Sequence, residues 1–244
     1  MWLVIALTVI TAATRLLAIS RAPWEWDEVL FASAVREYDV ALHHPHPPGS
    51  PLYIGLAKLI ALTGIDEVRA LQIVVVAGSM LLFPLTYALG RELQLGFRAS
   101  IGGALILSFA PNVWYYGGTA FSDVPALALV LGAAVLLLRG IGDRRAFLAG
   151  SALLGVAIGF RPQLMLIGLV PFAFAARANR RHFLAPLLVL VAIPAASYAG
   201  AAAACGHAGR TAGRSSDCLR RRKELILPGR GRNAPLTTLA LGSD

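Results

Sequence analysis

Charge is scarce in this chain. Asp, Glu, Lys and Arg make up 14% of its 244 residues, against about a quarter in a soluble domain. Cysteine is scarcer still. There are two, Cys205 and Cys218, both near the C-terminal end. That excludes a disulfide framework, and their spacing matches no zinc site. No internal repeat is visible. What fills the space is apolar: 57% of residues are hydrophobic and mean hydropathy is +0.68. That composition, in repeated runs, predicts an all-α polytopic membrane protein.

The formal charge is +9, yet it does not point to nucleic acid. Eight of the 22 basic residues lie beyond residue 205, and most others sit in short loops between apolar runs. Topology and headgroup contact explain them. Residues 1–20 carry Arg15 within the apolar run and lack a basic leader, so they read as a first anchor helix rather than a signal peptide.

Apolar runs fall near 2–19, 68–89, 99–116, 121–138, 146–160, 163–176 and 183–203. They predict about seven spans over residues 1–204. A further run, 51–64, is short of the roughly 20 residues a span needs. It carries Lys58 and reads as a juxtamembrane helix within an outer loop, 20–66. Three loops are basic: Arg91 and Arg98; Arg139, Arg144 and Arg145; Arg177, Arg180 and Arg181. The positive-inside rule puts all three on the cytoplasmic side if 51–64 does not cross and 146–176 is a hairpin. The N-terminus is then inside, and Asp27, Glu28, His46, Asp123 and Arg161 gather at the outer face. The Ala, Gly, Leu and Arg richness leans toward a bacterial plasma membrane. Gly155 and Gly159 form a GxxxG pattern, which permits close helix packing.

The stretch 205–244 differs. It has Gly, Arg and Ser clusters, Arg220-Arg221-Arg222-Lys223, and no periodicity. It reads as a disordered extension or, in preference, as out-of-frame sequence on a truncated protein.

The chemistry concentrates in residues 24–53. Trp26-Asp27-Glu28 opens a helix over 27–38 in which Phe31, Ala34, Val35 and Tyr38 share a face. Asp27, four residues before Phe31, lies along that face, and Glu28 lies about 100° round, at its flank. Desolvation there would raise Asp27's basicity. Alternatively, both acids simply complement the helix N-terminus. His43, His44 and His46 surround Pro45; with Asp27 they offer metal-ligand chemistry, but the turn at Pro45 works against three imidazoles reaching one ion. His46, beside the rigid His46-Pro47-Pro48 turn, can hydrogen-bond a phosphate. Asp123 either caps a helix carrying Pro125 in its first turn or belongs to a polar site. Arg161 sits between two short helices. It pairs with an anion below the surface or snorkels to the headgroups. Arg15 raises the same choice.

These residues resemble the GT-C superfamily of integral-membrane glycosyltransferases, in particular its protein O-mannosyltransferase and aminoarabinose-transferase branch. The resemblance rests on Trp26-Asp27-Glu28 after a first span and His46-Pro47-Pro48 leading into Leu52-Tyr53. Leu154 to Arg161, a GxxxG helix ending in a basic residue, and Asn112 to Asp123, an aromatic exit closed by an acid, extend it. It implies a polyprenyl-phosphate sugar donor, an acceptor of unspecified class, inversion at the anomeric carbon and no required cofactor. Asp27 would be the base and Glu28 its support or the acceptor's. Arg161 and His46 would bind the departing phosphate, with Asp123 and Arg15 completing the substrate site. Members of that family are longer, with more spans. A transporter or lipid-handling protein would use the same charges, but would place them at mid-membrane.

Overall fold

Described residues of the computed structural model are 2–203 and Cys205. Cys218, the Arg220–Lys223 cluster and the rest of the expected tail lie outside them. Among the described residues the fold is helical throughout and contains no strand. The elements are α1 (Trp2–Leu17), α2 (Trp26–Arg36), α3 (Pro51–Ala61), α4 (Glu67–Glu92), α5 (Phe97–Phe109), α6 (Pro111–Tyr116), α7 (Asp123–Arg139), α8 (Arg144–Phe160), α9 (Met165–Ala178) and α10 (Leu184–Ala203).

Of the seven expected spans, two helices, α4 and α10, are long and apolar enough to cross a bilayer alone. The others have 13 to 17 residues and rise about 20–26 Å, short of a hydrocarbon core of about 30 Å. One run read as a single span, 99–116, is two helices. Pro111 has no N–H to donate and forces Ala110 out of the helical region, so α5 stops at Phe109 and α6 starts anew.

Helix starts follow local chemistry. Asp66 caps α4 by accepting from the Arg69 N–H at 3.0 Å. Pro51 occupies the first turn of α3, where its missing N–H costs nothing. With 11 residues, α3 rises about 16 Å and does not span.

The packing forms two cores. Phe31, Tyr53, Leu71, Phe121, Val124 and Phe160 build one. Val130, Leu137, Phe147, Leu154, Phe172 and Leu190 build the other. Small residues allow the helices to approach. A Cβ on Gly78 would stand 2.5 Å from Pro125 Cα where α4 crosses α7, and one on Gly155 would meet Leu190 O of α10 at 3.1 Å. Outward faces of α1, α9 and α10 stay apolar, exposing Leu3, Val9, Leu166, Phe174, Leu188 and Val191. Soluble proteins rarely carry such surfaces.

Hydrogen bonds sort the loops into two ends. Arg139 Nε donates to Glu92 Oε1 at 2.7 Å, and Asn179 Nδ2 to Gly140 O at 2.7 Å. The three basic loops thus share one end. The loop after α1, the turn before α7 and the turn after α8 share the other, through bonds described next.

Candidate functional site

Glu28 is the most deeply placed acid at this end. It is 0% exposed. One carboxylate oxygen accepts from the backbone N–H of Trp24 at 2.5 Å and of Glu25 at 3.3 Å. The other accepts from the Ala120 N–H at 2.6 Å. Half of this is a capping box, in which Glu28 reaches back over the start of α2. The other half ties α2 to the turn before α7. Tyr53 of α3 reinforces that turn, donating its hydroxyl to Ala120 O at 2.9 Å.

Asp27 takes the opposite position. Its side chain is 45% exposed, and its Oδ1 lies 3.8 Å from His46 Nδ1. The sequence placed Asp27 inward and Glu28 at the flank, and the structure reverses them. Phe31, Ala34 and Val35 are buried as expected. Glu28 precedes Phe31 by three residues and Val35 by seven, so it lies on the buried face too, and backbone donors supply what water would.

His46 stands on a turn with cis peptides at His44–Pro45 and Pro47–Pro48. Gly49 has φ +88°, and a Cβ there would strike the Tyr38 hydroxyl. Burial pushes that phenol up to about 12. The His46 ring packs on Phe31, centroids 5.6 Å apart, and its Nδ1 is buried with no protein hydrogen bond. His43 is exposed, and His44 is half-buried. Among the described residues no three His, Cys, Asp or Glu side chains converge as a metal site.

Arg161 ends α8. Its Nη1 donates to Asp123 Oδ2 at 2.6 Å and to Ser122 Oγ at 3.2 Å. Asp123 lies within the first turn of α7 and faces Arg161. It is also within electrostatic reach of Asp27 and His46. Asp123 and Arg161 line a cleft of about 370 Å³ with Asn112, Tyr116, Phe121 and Leu127. Tyr116 donates its hydroxyl to Glu25 Oε1 at 2.9 Å, so the first loop forms part of the rim.

Four of the six sequence-selected residues, Asp27, His46, Asp123 and Arg161, therefore come together. Glu28 lies behind them as a tie. Arg15 is elsewhere. It is 1% exposed and donates to Ser108 O and, at 3.2 Å, to Trp114 O. These carbonyls are left without helical partners where α5 and α6 end. Glu25, Asn112 and Tyr116 were not singled out. The aromatic run 112–116 marked the region, but only the break at Pro111 turns it toward the cleft.

A family model described as dolichyl-phosphate-mannose-protein mannosyltransferase matches residues 45–199, well over half of the chain. The chain belongs to that family. It is thereby placed among the GT-C membrane glycosyltransferases. The matched stretch contains His46, Asp123 and Arg161, while Asp27, Glu28 and Arg15 precede it. No curated protein and no solved structure matches the chain. Asp123 and Arg161 line the cleft, and the Asp27–His46 pair lies outside that lining. Nε and Nη2 of Arg161 are not used on Asp123 or Ser122, which leaves donors for a phosphate.

Proposed function

We propose that this chain transfers a sugar from a polyprenyl-phosphate donor to an acceptor hydroxyl or amine, with inversion. The observation that carries the reading is the meeting of Asp27 and His46 with the Asp123–Arg161 pair beside one cleft, within a chain of this family.

Asp27 is half-exposed and can meet an incoming acceptor. It removes the acceptor's proton as the nucleophile attacks the anomeric carbon. The bond from that carbon to the phosphate oxygen breaks, and its electron pair leaves with the lipid phosphate. The free donors of Arg161 stabilise that charge. His46 stands beside the base, its buried Nδ1 3.8 Å from Asp27 Oδ1, and orients that carboxylate. Asp123 orients Arg161, and Glu28 fixes the distance between α2 and α7. No step requires a metal ion.

The lipid chain has a place to go. An apolar groove of about 440 Å³ runs between α3, α4, α7 and α8, lined by Leu56, Ile73, Leu81, Pro125, Leu129 and Phe160. The groove reaches the start of α7 at Pro125 and the end of α8 at Phe160, the same end of the bundle as Asp123 and Arg161. An amphipathic donor needs such an apolar surface and such a cation. In this reading the cleft end faces outward and the basic-loop end faces the cytoplasm. Local bilayer thinning and snorkelling of flanking basic side chains let the short helices complete a seven-span arrangement.

The test is transfer of radiolabelled mannose from polyprenyl-phosphate mannose to endogenous acceptors in membranes, comparing wild type with Asp27→Asn. Activity in wild type that falls at least 100-fold in the variant is expected. Equal transfer by both would sink the assignment.

A further inference from the structure

A second cleft opens at the same end, on the other side of the Tyr115–Tyr116 wall. It is about 420 Å³ and is lined by Ala18, Ser20, Arg21, Trp24, Trp114, Tyr115 and Thr119. Two of the chain's four tryptophans line it. They are not buried there: Trp24 is 71% exposed, Trp114 38% and Tyr115 42%. Arg21 makes no ion pair or hydrogen bond among the described residues.

The frame of this cleft is fixed. The Ser20 N–H donates to Gly118 O at 2.9 Å. Gly118 packs so closely on the Ala18 carbonyl that a Cβ would collide with it. Arg15 holds Trp114 O from beneath at 3.2 Å. Gln72 Nε2 donates to Ser20 O at 2.9 Å and to Ser20 Oγ at 3.2 Å. Aromatic faces are therefore presented on a preorganised backbone, which lowers the entropic cost of binding.

We infer that this aromatic cleft binds a pyranose ring of a saccharide. A pyranose has one face of C–H groups, apolar and weakly positive, which suits the negative face of an indole or phenol. Its rim of hydroxyls needs a few polar partners: Arg21 offers its guanidinium donors, and the Thr119 hydroxyl, which donates to Tyr116 O at 3.0 Å, keeps an oxygen that can accept. A concave site of aromatic and small apolar residues with a few polar groups is the ordinary form of a small-ligand site, and Trp24, Trp114 and Tyr115 stand here beside Ala18, Ile19 and Ala22. The competing role for exposed Trp and Tyr is anchoring at the membrane interface. Concavity favours the saccharide, because anchors need only project from the perimeter. The cleft also shares its wall with the first one. Tyr115 lines the second and Tyr116 the first, their rings 5.1 Å apart. Trp24 and Glu25 stand on either side in the same way, Glu25 accepting from Tyr116. On the transferase reading proposed above, this makes the second cleft a subsite for a sugar-bearing acceptor.

The test measures binding and does not depend on transfer. The full chain in phosphatidylcholine nanodiscs is titrated with methyl α-mannopyranoside and followed by saturation-transfer NMR. A saturable signal is expected, reduced at least tenfold in a Trp24→Ala/Trp114→Ala double variant and unchanged in Trp2→Phe at the far end of α1. Arg21→Gln, an exposed change that spares the fold, should weaken binding about threefold to tenfold. A signal equal in wild type, the double variant and Arg21→Gln would overturn the inference. So would quenching of Trp24 and Trp114 by bromine-labelled lipid with no saccharide response. Binding at this cleft without any sugar transfer would remove the transferase reading while leaving the saccharide site in place.

Discussion

Both ends of the bundle join two helices by an arginine and a carboxylate, yet the two pairs differ in kind. At one end Arg139 meets Glu92, and the pair holds two loops together, with the arginine side chain 54% exposed. At the other end Arg161 meets Asp123 at 2.6 Å, with the arginine 31% exposed, on the wall of a cleft beside Asp27 and His46. The bond type is the same. The surroundings decide whether it is a strut or part of a site. An exposed pair is worth at most about 1 kcal/mol. A guanidinium held beside a cavity with donors to spare can act on a ligand.

The largest effect should come from Asp27→Asn, which removes the proposed base and should lower transfer by a factor of about 100 or more. It should leave thermal stability in detergent close to wild type, because the side chain is half-exposed. Glu28→Ala should do the reverse in emphasis. It strips the partner from three backbone N–H groups, at a cost of about 3–5 kcal/mol, seen as an earlier melt by circular dichroism. Glu28→Gln keeps an acceptor oxygen and should recover part of that loss. A Glu28→Ala protein as stable as wild type would show that the tie between α2 and α7 is weaker than its geometry suggests. Gly155→Leu should weaken the packing of α8 on α10 by about 1–3 kcal/mol through overpacking, read as a lower melting temperature. The smallest effect belongs to Arg139→Met, about 1 kcal/mol or less.

The sequence made one end of this molecule more legible than its details. Loop charge separated the basic loops from the acids and histidines, and the structure keeps them at opposite ends. The link from His46 to Phe31, and from Asp123 to Arg161, joins residues that only a fold can bring together. Periodicity identified Phe31, Ala34 and Val35 on the buried face of α2, but the helix stops at Arg36, before the expected Tyr38. It put the wrong carboxylate on that face, Asp27 in place of Glu28, because the donors that compensate Glu28 are the backbone N–H groups of Trp24, Glu25 and Ala120 rather than a side chain. The same limit hid Arg15. A buried arginine read from sequence looks like a ligand-binding cation. Here carbonyls at the α5–α6 break take up the guanidinium, and the proline that causes the break was read as part of a continuous apolar run. Span number was the least legible feature, since helices of 13 to 17 residues carry the hydropathy of a span without its length.

The most direct measurement places the two ends side by side. Mannose transfer from polyprenyl-phosphate mannose is measured in membranes for Arg161→Met and Arg139→Met, at matched protein levels. A loss of about 100-fold for Arg161→Met with Arg139→Met within about twofold of wild type is the expected result. Equal activity in the two variants would contradict the assignment of the site to the Asp123–Arg161 end.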